Sequence, residues 1–136
     1  MAVSNNWNDD IIKEFRANAG TVKAFAKQPI LLLHTTGAKS GAERVNPLAY
    51  LKRDDRLYVF GSFNARPMNP AWYHNLKAHP KVTVEVGTET FEAVATEVHG
   101  AERDEIYAEQ AAFNPGFAEY ETKTTRVIPV IALTRA

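Results

Sequence analysis

The stretch TTGAKSGAERVNPL, residues 35–48, sets two glycines, a lysine and an arginine between two apolar runs. Gly37 and Gly41 permit backbone conformations closed to other residues and let N–H groups converge without interference from a Cβ. Lys39, Ser40 and Arg44 add side-chain donors around that backbone. An arginine fork matches a phosphate or carboxylate, and a lysine supplies a mobile point charge. Hydrogen bonds to charged groups contribute roughly 1.5–3 kcal/mol each. Two or three would supply about half of the ~8 kcal/mol that micromolar affinity requires. The remainder has to come from burying something flat and apolar. The same composition also suits a long hairpin loop with solvated cations. It is not a Walker loop, because Lys-Ser or Lys-Thr does not follow the second glycine, and a Rossmann fingerprint fails as well.

Other chemistry is easier to set aside. His34, His74, His79 and His99 have no metal-ligand spacing, and no HExxH occurs. His34 reads as a satisfied core or near-site residue, and His74 and His79 as residues of a helix surface or end. Asp54, Asp55, Glu102, Asp104 and Glu105 read as turn residues and a solvated helix face, with RDDR as a surface ion-pair turn. The chain has no cysteine, which removes disulfides, thiolate ligands and a cysteine nucleophile. Lys+Arg and Asp+Glu balance at 16 each, so no global field favours nucleic acid or membrane, and any anion site is local. The first residues, MAVSNNWNDD, lack a signal-peptide pattern, and no apolar run reaches bilayer length. The cytoplasm is the default location.

The elements that would position the loop read mainly as β. An amphipathic helix is expected over NDDIIKEFRANAG, with Asn8 as N-cap, Gly20 as stop, and Ile11, Ile12, Phe15 and Ala19 on one face. Lys13 and Arg16 point away from that face and could reach an anionic ligand. ILLLHTT suits a strand buried on both faces. RVNPLAYLK and RLYVFGS follow around the turn RDD, then KVTVEV and TFEAVATEV around Gly87, and VIPVIALT closes the set. NPAWYHNLKAHP is a helix with Asn69 as cap and Pro70 in its first turn. GAERDEIYAEQAAF is another, and FAEYETK adds a further helical turn. This order predicts a mainly β (α+β) chain with about six antiparallel strands and short peripheral helices.

Three segments, TTGAKSGAERVNPL, NPAWYHNLKAHPKVTVEV and RVIPVIAL, occur in the order and spacing of a known family. The chain from Pro29 to the C-terminus resembles the deazaflavin-dependent nitroreductases. The resemblance implies a flavin-binding split β-barrel over residues 29–136, preceded by an N-terminal helical segment, residues 1–28. It implies coenzyme F-420, an 8-hydroxy-5-deazaflavin with a phosphate and an oligoglutamate tail. Lys39, Ser40 and Arg44, with backbone N–H groups near Gly41, would hold the phosphate and tail. Asn46, Pro47 and Leu48 would lie along the ring. Ser62 would stand near ring and substrate, and Asn69, Trp72 and Asn75 match the family helix. Where relatives place tyrosines, this chain has Asn114, Phe117 and Tyr120, so only Tyr120 keeps a phenol. Phe63, Asn64 and Arg66 also depart from the family pattern, and substrate specificity does not carry over.

The expected activity is hydride transfer from reduced F-420 to a nitroaromatic, quinone or enone, with Ser62 and Tyr120 facing the acceptor and no metal. FMN on the same barrel, a non-catalytic carrier of a deazaflavin or lipid-like ligand, and a quinone reductase touching the membrane through its N-terminal helix stand as alternatives. Both monomer and homodimer are open.

Overall fold

A computed structural model of the chain describes residues 6–25, 28–62 and 68–136, with the backbone alone for residues 6–8 and 24. Helix α1 (Asn6–Ala17) and a single 3-10 turn (Lys23–Phe25) lead into the strands β1 (Ile30–Thr36), β2 (Glu43–Arg53) and β3 (Arg56–Phe60). Helix α2 (Ala71–Ala78) joins β3 to β4 (Lys81–Val86), and a hairpin continues to β5 (Glu89–Val98). Helices α3 (Gly100–Phe113) and α4 (Gly116–Lys123) then lead to β6 (Val130–Arg135). The strands close a barrel in the order β1-β2-β3-β6-β5-β4, with β4 returning to β1 and every pair antiparallel. The expected six-stranded antiparallel barrel is what forms.

Successive strand residues face opposite sides, so each strand feeds two cores. Leu31, Leu33, Val59, Val84, Ile131 and Leu133 fill the barrel, and α2 adds Trp72 and Leu76 at one end. On the outside, Tyr58, Phe60, Val130 and Ala132 pack under Ile106, Tyr107 and Phe117 of α3 and α4. Ile30 and Leu32 pack under Ile11 and Phe15 of α1. Burying such a side chain contributes about 1.5–3 kcal/mol. That packing, rather than intrinsic propensity, holds a helix as short as α1 in place.

Several local expectations are corrected. Helix α1 begins at Asn6, so Asn8 lies inside it rather than capping it. It ends at Ala17, and Ala19 takes the left-handed position (φ 55°) beyond its end instead of joining the apolar face. The Gly20 N–H closes this end on the Phe15 carbonyl at 2.8 Å. A Cβ on Gly20 would lie 2.7 Å from the Gly87 Cα, so only glycine lets the helix end meet the β4–β5 turn. Arg16 is not available to a ligand. It grips Glu85 of β4 through two bonds of 3.1 and 2.7 Å, and His34 Nε2 lies 2.6 Å from the same carboxylate. Arg53 leaves its turn to pair with Glu105 of α3 at 2.6 Å.

The strand pairing has a gap on one side of β2. Residues 43–49 of β2 pair with β1, whereas β3 pairs only with Tyr50 to Arg53. Beyond the Tyr50–Val59 pair the seam between β2 and β3 opens. Among the described residues, the stretch 44–48 has no strand partner on its β3 side.

Candidate active site

The open seam lies at the end of the barrel where β1 finishes, β2 starts, β3 finishes and β6 begins. Residues 37–42 cross this end. Gly37 N–H donates to the Ala42 carbonyl at 2.8 Å, Gly41 N–H to the Gly37 carbonyl at 2.9 Å, and Ala42 N–H to Ser40 Oγ at 3.1 Å. Gly41 turns the chain with φ 71°, and a Cβ on Gly37 would collide with Ser40 Oγ. Asn75 of α2 fixes the loop from below. Its Oδ1 accepts the Ala38 N–H at 3.0 Å, and its Nδ2 donates to Thr35 Oγ1 at 3.2 Å. Asn75 and Thr35 are both buried.

These internal bonds define what is left over. The Gly41 N–H is used inside the loop, so the backbone donors available to a ligand belong to Lys39 and Ser40 rather than to Gly41. Lys39, Ser40 and Arg44 are exposed. Neither cation has an ion pair or hydrogen bond among the described residues, and the N–H groups of Lys39 and Ser40 are likewise unpartnered there. Two cations and two N–H groups, unpartnered among the described residues, make with the Ser40 hydroxyl on one short loop a donor set suited to an anion.

Beside the loop, β2 forms a ledge. Arg44, Asn46 and Leu48 stand opposite Thr35, Leu33 and Leu31, on the inner face, and Leu48 packs against the barrel core. A ligand on the outer face therefore meets Leu48 through its backbone. Pro47 points outward between Val45, which packs on the α1 cluster, and Ala49 and Leu51, which pack on the α3–α4 cluster. Residues 45–51 are only half-buried, apart from exposed neighbours further along the strand, whereas Leu31–Leu33 and Leu57–Phe60 are buried. A half-covered apolar ledge with an unpaired backbone edge suits a flat heterocycle whose rim carries donors and acceptors.

The far bank of the seam carries Ser62 and Asn69. Arg126, from the connection between α4 and β6, donates to Asn69 Oδ1 through Nη1 at 2.9 Å and to the Ser62 carbonyl through Nη2 at 2.8 Å. Burial holds the Arg126 guanidinium below its ordinary pKa. Asn69 thus does not cap α2; Pro70 stands at the cap with no side-chain bond. The Ser62 hydroxyl has no hydrogen bond among the described residues. Phe63, Asn64 and Arg66 lie outside the described residues.

The remaining expected residues divide. Trp72 is 6% exposed within the barrel core, so its ring packs rather than covering a ligand. Asn114 has both amide atoms engaged, Nδ2 donating to Gln28 Oε1 at 3.0 Å and Oδ1 accepting the Gly116 N–H at 3.2 Å. Phe117 is buried, edge-on to Phe60 with ring centres 5.4 Å apart. Tyr120 is half-buried against Phe117, on the cluster that also receives Ala49 and Leu51 of the ledge. The residues sequence reasoning missed are Arg126 and the buried amides Gln28 and Gln110 that tie α3 to the lead-in before β1, with Gln110 Nε2 donating to Gln28 Oε1 at 3.0 Å. The only available signal for Arg126 was its place at the head of the segment RVIPVIAL.

Among the described residues no group of three or more His, Cys, Asp or Glu side chains could hold a metal ion, and no helix is long and apolar enough to cross a membrane. A family model described as F-420H(2)-dependent quinone reductase matches residues 8–135. An F-420H(2)-dependent quinone reductase of Mycobacterium tuberculosis is 39% identical over 112 residues, which are 79% of this chain and 74% of that protein. A solved F-420-H2-dependent reductase superposes with a TM-score of 0.71 at 39% identity, covering 77% of this chain and 93% of its own. A second solved chain, described as a domain-swapped dimer, gives a TM-score of 0.73 at 34% identity, covering 94% and 97%. The match over nearly the whole sequence, on a split barrel with these donors at its seam, shows that the chain belongs to the F-420H(2)-dependent quinone reductase family.

Proposed function

We propose that this chain transfers a hydride from reduced coenzyme F-420 to a quinone-type acceptor at the β2–β3 seam. Family membership makes it an F-420-dependent oxidoreductase; the roles of individual residues are our assignment. The observation that carries them is the set of unpartnered donors on residues 39–44 beside a half-covered, unpaired strand. Lys39, Arg44, the Ser40 hydroxyl and the N–H groups of Lys39 and Ser40 hold the phosphate and acidic tail. Gly41 shapes the loop, and Asn75 keeps it against α2. The backbone of Asn46 and Leu48, with the Pro47 ring, supports the deazaflavin.

When bound and reduced, the deazaflavin supplies the hydride from its C5 carbon. Ser62 stands on the far bank, its hydroxyl unpartnered among the described residues and able to donate to an acceptor oxygen that gains electron density. Tyr120, a half-buried phenol on the cluster that also receives Ala49 and Leu51, is assigned to limit water and face the acceptor, backed by Phe117. Asn69 shares the Arg126 guanidinium with Ser62. Trp72 supports α2 from inside the barrel, and Asn114 supports the start of α4. Nitroaromatics and enones are secondary acceptor classes for the same hydride. Peripheral contact with a membrane gains no support from the described side chains of α1, whose Ile11 and Phe15 are spent on the barrel.

Equilibrium binding of F-420 against FMN, followed by an acceptor screen with the reduced cofactor, tests the proposal. F-420 is expected to bind more tightly, because FMN brings a phosphate but no acidic tail, and quinones are expected to be reduced. Tighter binding of FMN, or F-420 binding with no turnover on any acceptor, would overturn it. Mass measurement in solution assigns monomer or dimer.

A further inference from the structure

Ser62 and Asn69, on the far bank of the seam, converge on one side chain. Arg126 reaches the Ser62 carbonyl at 2.8 Å and Asn69 Oδ1 at 2.9 Å, on positions 64 and 57 residues away in sequence. The Pro129 carbonyl, three residues later, accepts the Gly61 N–H at 2.9 Å, so one short connection holds both Ser62 and the residue before it.

That connection is itself anchored. Arg103 of α3, 8% exposed, donates to the Ile128 carbonyl through Nε at 3.2 Å and Nη2 at 3.0 Å. Its guanidinium also lies over the Tyr107 ring, 4.6 Å from the centre, and reaches Glu121 of α4 at 3.4 Å. The run from Arg126 to Ile128 is thus fixed to the α3–α4 cluster before Arg126 extends from it. A planar guanidinium satisfied by two acceptors on one segment sets both distance and direction, which a single contact does not.

We infer that Arg126 is a positioning residue for the reaction, a staple that fixes Ser62 and Asn69 on the far bank of the cofactor cleft. This rests on the proposed placement of the deazaflavin at the seam. Ser62 depends on it directly, because the bond is made to its own carbonyl and so fixes the backbone from which its hydroxyl projects. The donors assigned above to the phosphate and tail lie on residues 39–44, whereas Arg126 bonds to Ser62 and Asn69. Its loss should therefore act on the ring and the chemistry, not on the anionic end.

The test compares binding of intact F-420 and of the 8-hydroxy-5-deazaflavin chromophore lacking phosphate and tail, for wild type, Arg126→Ala and Arg126→Lys. Arg126→Ala should weaken both ligands by the same factor, about tenfold, and lower kcat with a soluble quinone more than it raises the quinone KM. Added guanidinium should restore part of the loss in Arg126→Ala. Arg126→Lys, which keeps the charge but reaches one acceptor, should fall between wild type and alanine. If the alanine variant does not fold, the lysine variant alone carries the comparison. Binding of both ligands within about twofold of wild type, with kcat unchanged, would overturn the staple. So would a loss confined to intact F-420, which would place Arg126 at the anionic end. Failure of the wild-type protein to bind either ligand would instead overturn the placement of the cofactor, and the staple with it.

Discussion

Replacing Asn75 by alanine separates the architecture of the loop from its charge. Asn75 is buried, and its amide joins three elements by accepting the Ala38 N–H at 3.0 Å and donating to Thr35 Oγ1 at 3.2 Å. Ala38 is exposed, so its N–H can turn to water at little cost. Thr35 is only 2% exposed, and its hydroxyl would lose this partner in a place water does not reach. A buried polar group left unsatisfied costs about 1–3 kcal/mol, and the space vacated by the amide adds to it. A total of about 2–3 kcal/mol corresponds to a fall in melting temperature of about 8–12 °C for a chain of this size. Thr35→Val in the same background removes the stranded hydroxyl and should return about 1 kcal/mol of that loss. Differential scanning calorimetry reads both values, and titration with F-420 should show weaker binding as the loop loosens. A melting temperature within about 2 °C of wild type would show that the amide does not secure the loop.

Arg44→Ala should weaken F-420 about tenfold at low salt, with the gap narrowing as salt rises, while the tailless chromophore binds unchanged; fluorescence titration at two ionic strengths reads this, and an equal loss for both ligands would refute the anion role. Ser62→Ala should lower turnover with F-420 affinity preserved, and single-turnover rates equal to wild type would remove Ser62 from the chemistry. The hydrogen bond from Arg16, reinforced by His34 and opposed by burial, holds the Glu85 carboxyl below its ordinary 4.5. A carboxyl lowered by folding adds stability above that value and loses it as pH falls through the folded pKa. Glu85→Gln should therefore be less stable than wild type at neutral pH, with the two urea midpoints converging below 4.5; parallel curves at all pH values would contradict the assignment.

Much of this molecule is already dictated by local chemistry. The alternating and fully apolar runs set the six strands, since a pleated backbone sends neighbouring side chains to opposite faces whatever they pack against. RDD and Gly87 mark two hairpin turns, where Asp54 (φ 56°) and Gly87 (φ 59°) take left-handed conformations. The span of α3 is legible because Gly100 and the NPG stop bracket it, and the composition of residues 37–44 announces a donor-rich loop. What no window of sequence contains is pairing at long range. The opening of the seam depends on where β3 stops pairing with β2, which is settled by barrel closure and not by either strand. Whether a cation is free or committed depends on what lies across from it. Arg16 finds Glu85 from 69 residues away and Arg126 finds Ser62 from 64, while Arg44 and Lys39 find no described partner. Charge and hydrogen-bond energies fall off with distance in space and are blind to distance along the chain. Composition could therefore supply the donors, and only the tertiary structure could decide which of them remain for a ligand.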